Sequence, residues 1–166
     1  MPENKAQIVF LKPMGGAWGA FPVGIFDLQD QGHTLLGVMP EKSKLVVEME
    51  PGKHLFMAHT GAMTHFMTAD VAAGQRYYVL VRFIYGMGFQ LRPIRNGGAS
   101  DYSSLNPDFQ EWVRDTAIAP SSSQRANRYV RQEEKVAKHR EAGWQAWLRK
   151  TDAERAELGL NEDDSF

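Results

Sequence analysis

The sequence predicts a mostly β protein with C-terminal helices: an antiparallel β-sandwich followed by a helical arm. Three observations lead there. The first ninety-odd residues repeat short apolar and β-branched runs, broken by glycine, proline or Asp/Asn clusters about every ten residues. Past residue 98 that rhythm stops, and capped, charge-rich helical patterns replace it. The length of 166 residues, 43% apolar and 23% charged, suits one domain with a real core, or a modest domain plus an appendage. The expected division is a β domain over 1–98, a loop and short helix over 99–120, and a basic helix with an acidic end over 121–166.

Eight candidate strands, for a sandwich of seven or eight, lie at 7–12, 21–28, 33–39, 44–50, 53–59, 65–71, 75–84 and 89–94. In the fourth, alternation sets Leu45, Val47 and Met49 on a core face with charges mostly opposite. The run from Tyr77 to Ile84 is apolar on both faces except at Arg82, as in the middle of a covered sheet. Pro51 and Gly52 fit the two central positions of a type II turn. The stretch from Arg95 to Ser104, with two glycines and three serines, reads as an exposed loop.

Helical signals follow. Asn106 can cap a helix whose first position is Pro107 and whose apolar face is Phe109, Trp112 and Val113. After three serines, 124–150 lacks proline and reads as one helix of about seven turns. Its narrow stripe of Ala126, Tyr129, Val130, Val136, Ala137, Trp144, Trp147 and Leu148 is interrupted by Glu133 and Arg140. Gly143 weakens that helix by about 1 kcal/mol relative to alanine. Thr151 and Glu154 form a capping box for a last short helix ending near Gly159, and 161–166 is expected to fray.

Charge and composition exclude several functions. The formal charge is -1, so no global field draws the chain to nucleic acid or anionic lipid. Regionally, 121–150 carries +5 and 151–166 carries -5. The acidic end could fold back on the basic helix, two copies could pair head to tail, or the basic stretch could meet an acidic partner. Arg125, Arg128, Arg131, Lys135 and Lys138 recur at spacings near three and four, which suits a solvated face as well as a nucleic-acid contact. The absence of cysteine removes disulfides, thiolate metal sites and cysteine nucleophiles. The start of the chain shows no signal-peptide pattern, and the longest apolar run is too short to span a membrane. The chain is therefore expected to be soluble as written.

Candidate chemistry is sparse. The glycine-rich segment 14–19 lacks the lysine of a phosphate-binding loop. His54 and His59 have opposite parity on one strand and point to opposite faces, which argues against a shared metal. The histidines are expected to be half-exposed sheet residues. The serines lie in loops without a nucleophile-elbow pattern, so no catalytic residue, cofactor or metal is expected. Trp18 is either an anchor for a partner or an indole packed over the end of the sheets. Trp144 and Trp147 must bury against something, on this chain or another.

Three pieces in order carry a family likeness. They are the opening strand from Ala6 to Pro13, the turn Glu48-Met49-Glu50-Pro51-Gly52-Lys53-His54, and the strand entry from Val71 to Val79. Over roughly 6–95 the chain resembles the bacterial DUF2846 family, which has a PPGKH-type turn and an AGKTYYV-type strand. The resemblance implies a small β-sandwich of the prealbumin (transthyretin-like) or carboxypeptidase-regulatory kind, common in envelope lipoproteins, with no catalytic residues to carry over. This chain lacks the lipobox cysteine and the leader. That leaves the compartment open between cytoplasm and, if a leader was removed, envelope.

The reading that follows is a non-enzymatic interaction or assembly module. It would bind another protein, or itself, through sheet edges, loop aromatics and the helical arm. The expected contact residues are Trp18, Arg125, Arg128, Tyr129, Trp144, Trp147 and Leu148. The alternative is a small-ligand or carbohydrate-binding sandwich with an aromatic groove near Trp18 and Tyr85.

Overall fold

The computed structural model describes residues 2–29, 32–120 and 123–166, apart from the side chains of Ser123 and Arg125. All eight expected strands are present: β1 (Ala6–Lys12), β2 (Val23–Asp27), β3 (Thr34–Met39), β4 (Ser43–Met49), β5 (Gly52–Thr60), β6 (Met63–Val71), β7 (Arg76–Ile84) and β8 (Gly88–Pro93). A one-turn helix, α1 (Gly16–Gly19), lies between β1 and β2. The C-terminal part adds α2 (Asp108–Arg114), β9 (Ala117–Ile118), α3 (Ser123–Arg131), α4 (Glu133–Leu148), α5 (Asp152–Glu157), β10 (Gly159–Leu160) and a 3-10 turn at Glu162–Asp164.

The protein is mostly β, in two five-stranded sheets ordered β8-β7-β1-β4-β9 and β10-β6-β5-β2-β3. Both sheets are mixed, which corrects the all-antiparallel expectation. β1 runs parallel to β7, β4 to β9 and β6 to β10. Hairpin turns force antiparallel pairing only between neighbours in sequence, such as β5 and β6 or β7 and β8. β7 enters its sheet after two strands spent in the other one, so no tight turn sets its direction beside β1.

Period-two alternation sorts the side chains into layers. Ile8, Phe10, Val79 and Val81 from the first sheet share one core with Ile25, Phe56 and Met67 from the second. Phe10 and Phe56 meet edge to face at 5.6 Å across it. The opposite parity of the first sheet, Val9, Leu11 and Leu80, packs under Phe109 of α2. The outer face of the second sheet, Phe26, Met57 and Phe66, packs under Val136, Trp147 and Leu158. Every residue of β1 is consequently buried, as for a strand covered on both sides.

The helical part departs from expectation in two places. The stretch 124–150 is two helices, broken at Gln132, whose backbone (φ -109°, ψ 22°) leaves the helical region. Its N–H is shared between the carbonyls of Arg128 and Tyr129, each at 3.1 Å, the bifurcated pattern of a helix end. The end of the chain is ordered rather than frayed. Asp164 is buried and pairs with Arg95 at 2.5 Å, and the Phe166 N–H donates to the Arg76 carbonyl at 2.8 Å. The Phe166 ring lies against Tyr78 and Phe109.

Two local signals read from the sequence are present. Asn106 Oδ1 accepts the Asp108 N–H at 2.9 Å ahead of α2. The Thr151/Glu154 capping box opens α5. At Gly143, by contrast, the reason for glycine is tertiary. A Cβ there would collide with Thr64 Oγ1 and crowd Phe66, so the missing side chain is what lets α4 approach β6. Thr64 Oγ1 donates to the His139 carbonyl at 3.2 Å in that seam.

Candidate binding surface

The loop after β1 carries Trp18, and two devices hold its shape. Lys12, the last residue of β1, is fully buried. Its Nζ donates to the Gly19 carbonyl at 2.6 Å and lies 4.9 Å over the Phe89 ring. Burial lowers its pKa to about 8, with the Glu41 carboxylate pulling the other way. Gly19 is the second device, since a Cβ there would strike the Met14 carbonyl. The fold therefore closes this turn tightly over a buried ammonium.

On that base stands an open aromatic group. Trp18 stacks on Phe83 at 5.3 Å and on Phe21 at 6.2 Å, and meets Tyr85 edge on at 5.7 Å. Phe83 is braced in turn by Phe89 at 5.4 Å. Trp18 is 46%, Phe21 50% and Tyr85 79% exposed. The indole therefore packs over the end of the strands, as one of the two readings of Trp18 expected, and still presents nearly half of its area.

Cavities flank this group on two sides. A cleft of about 520 Å³ runs between β7 and α2, lined by Met14, Lys42, Arg82, Phe83, Trp112 and the carboxylates of Asp108, Glu111 and Asp115, among others. On the other side, Phe21 shares a cavity of about 290 Å³ with Arg128, Tyr129 and Lys135. The structure thus brings Trp18, Arg128 and Tyr129 onto one continuous strip through Phe21. Tyr129 is half-buried, and its hydroxyl donates to the His59 carbonyl at 3.2 Å.

The remaining expected contact residues fall elsewhere. Trp147 is only 4% exposed and packs on Phe66 at 6.2 Å. Trp144 is half-buried and meets the same ring edge on at 5.5 Å. Of the two places where the indoles were expected to bury, this chain or another, the structure shows this chain: Phe66 on the apolar outer face of the second sheet meets both, and encloses Trp147 more fully than Trp144. Leu148 is 52% exposed on the far side of α4. The side chain of Arg125 lies outside the described residues.

The acidic end also finds its partners at home. Among the described residues no ion pair joins it to the basic helices. Asp164 pairs instead with Arg95, and Glu157 with Arg92 at 3.7 Å.

Sequence reasoning missed a histidine pair of which one member, His59, is buried and the other, His139, half-buried. His59 on β5 and His139 on α4 are hydrogen-bonded at 3.0 Å and stacked at 5.3 Å between ring centres. His59 is 5% exposed, and its Nδ1 is buried without a partner. Burial, then the charges of His139, Lys135 and His33, push its pKa down to about 4. His54, on the opposite face of β5, is buried too, with Asp27 and Gln29 at Nδ1 and the Glu50 carbonyl at Nε2. The opposite parity was legible, but the burial was not, because it depends on layers contributed by distant segments.

Among the described residues, no cluster of three or more histidine, aspartate or glutamate side chains is arranged to hold a metal ion, and no helix is long and apolar enough to cross a membrane. No protein-family model matches the chain, and no curated protein matches it.

Proposed function

We propose that the protein is a non-enzymatic interaction module whose contact surface is the strip formed by Trp18, Phe21 and Tyr85, continued by Tyr129 and Arg128. The observation that carries this reading is the exposure of three aromatic rings that are nevertheless fixed by stacking on one another and on Phe83. Contiguous exposed apolar area of this kind marks interaction sites more often than scattered single residues do. Tryptophan, tyrosine and arginine are also the residue types that dominate interface energetics.

Other surfaces compete less well. The two-residue strands β9 and β10 cover one edge of each sheet, which blunts strand addition there, and β8 ends in Pro93, which has no N–H to offer. The helical arm has its indoles engaged on its own sheet. The partner we propose is another protein offering an apolar anchor to Trp18 and acidic groups to Arg128 and Lys135.

The finer fold and family belong to the same reading. A sandwich of the prealbumin kind is supported by the single core that both sheets share. Membership of the DUF2846 family rests on the turn at Pro51-Gly52-Lys53-His54 and its flanking strands.

The test compares affinity captures from the native cells, using the wild-type chain and a Trp18→Ala, Tyr85→Ala double variant of equal thermal stability. A partner that binds the wild type and loses at least about 30-fold in affinity, the equivalent of about 2 kcal/mol, supports the assignment. Equal capture by both overturns it.

A second reading is favoured by the 520 Å³ cleft beside Phe83, with Trp112 and several charged groups in its wall. It is a small-ligand or carbohydrate site, in which a sugar ring would stack on an indole and its hydroxyls would meet the charged wall. Saturable binding to a glycan panel, abolished by Trp112→Ala but not by Tyr85→Ala, would favour it over a protein partner.

A further inference from the structure

The cavity beside Phe21, about 290 Å³ in volume, joins an apolar wall to a basic mouth. Val38 in the wall is buried and Tyr129 half-buried. The tyrosine is fixed twice: its hydroxyl donates to the His59 carbonyl at 3.2 Å, and its ring occupies the space that a Cβ on Gly24 would need. Phe21, 50% exposed, carries the apolar surface out to solvent.

Two cations stand at the mouth. Arg128, in the last turn of α3, and Lys135, in the first turn of α4, both line the cavity and are exposed, on either side of the break at Gln132. Among the described residues no carboxylate lines this cavity, and neither cation is in an ion pair. The acidic end of the chain is tied to Arg95 and Arg92 instead. The cleft beside α2 differs in this respect, because Asp108, Glu111 and Asp115 there share the wall with Lys42 and Arg82.

The two halves of the cavity ask for one kind of ligand. Apolar wall favours an apolar body, and two cations without a counter-charge favour an anion that accepts charge-assisted hydrogen bonds from both. A carboxylate at the mouth stays at the solvent edge, so its burial costs little, while the body attached to it covers Val38, Phe21 and Tyr129. Small-ligand sites commonly combine a mostly apolar lining with a few placed polar groups in this way.

We infer that this cavity binds a carboxylate carried on a small apolar or aromatic body, either a free acid or the terminal residue of a peptide. The inference rests on the proposed interaction surface in using its Arg128 end, and it names the chemistry recognised there.

His59 reports on occupancy. It lines the cavity and feels the charges of His139, Lys135 and His33, while Arg140 and Glu133 act on His33. A carboxylate paired with Lys135 offsets part of the positive charge around His59, so the bound protein should hold a proton there more readily.

The test titrates the full chain at pH 7 with phenylacetate, with N-acetylphenylalanine and with the uncharged phenylacetamide, following the His59 and Tyr129 ring NMR signals. Saturable shifts with the two acids and none with the amide are expected, together with a higher titration midpoint for His59 in the bound protein. Arg128→Gln and Lys135→Gln should each weaken binding about tenfold, the size of one charge-assisted hydrogen bond. Lys53→Gln, an equal change of net charge at an exposed residue outside the cavity, should leave it unchanged. Tighter binding of N-acetylphenylalanine assigns the site to a peptide terminus, and tighter binding of phenylacetate to a free acid. Equal response to acid and amide, no saturable response, or unaltered binding by folded Arg128→Gln and Lys135→Gln would overturn the site. Should those variants fail to fold, the acid-against-amide comparison on the wild type decides alone. Absent acid binding with partner capture still dependent on Trp18 and Tyr85 overturns this site only, whereas acid binding with capture indifferent to them overturns the strip only.

Discussion

Acid should loosen the protein through His59. In the folded chain the His59 pKa is about 4, against about 6.5 in an unfolded chain. A depressed histidine pKa means that the unfolded state binds the proton more readily. The stability it contributes is therefore complete above about pH 6.5, falls as pH drops below that value, and is gone near pH 4. A difference of about 2.5 units at 1.36 kcal/mol each gives about 3 kcal/mol for this one group. The figure applies to a side chain only 5% exposed, so solvent screens it little. His33 and His65 are also lowered, chiefly by burial, and act in the same direction. The assay is urea unfolding followed by tryptophan emission between pH 7.5 and 4.5, on the wild type and on His59→Gln. The wild type should lose about 2.5 kcal/mol more than the variant over that range, because pH 4.5 stops short of the folded pKa. Identical pH slopes for the two would refute the assignment of a buried His59 that stays neutral at the seam of α4 and β5.

Other perturbations probe the same seam and its neighbours. Trp147→Ala should cost about 3 to 5 kcal/mol by chemical denaturation, as for other large-to-small changes in a core, because the indole is enclosed by this chain. Gly143→Ala should destabilise, although helix propensity alone favours alanine by about 1 kcal/mol; the new methyl meets Thr64 Oγ1, so thermal melting should fall, and Thr64→Ala should recover part of the loss. Thr151→Ala should cost about 1 kcal/mol and speed amide exchange across α5 without altering the β strands.

The strands were legible because each carries its own signal. Apolar alternation and the Pro51-Gly52 turn are local facts, and so is the capping box at Thr151. Strand order was not legible, since β1 meets β7 through a register set by shared burial rather than by a turn. Strands of two residues, β9 and β10, are too short to show a period. Arg95, the ion-pair partner of Asp164, lies some seventy residues away, so an acidic tail looked free when it was tethered. His59 and His139 are eighty residues apart and carry no common pattern. Lys12 read as the polar end of a strand, and its burial arises from the loop that folds over it. Of the proposed strip, Trp18, Arg128 and Tyr129 stood out in the sequence. Their meeting through Phe21 did not, because it depends on α3 lying beside β3.

The central claim is that α4 covers the second sheet of its own chain, which leaves the Trp18 strip as the open surface. Isotope-filtered NOE spectroscopy on a mixture of labelled and unlabelled protein tests this most directly, through contacts between the Trp147 indole and the Phe66 ring. The account predicts that these contacts are strong in the uniformly labelled sample and missing from the filtered spectrum of the mixture. Contacts that persist in the filtered spectrum would place the helix on a second molecule and contradict the account.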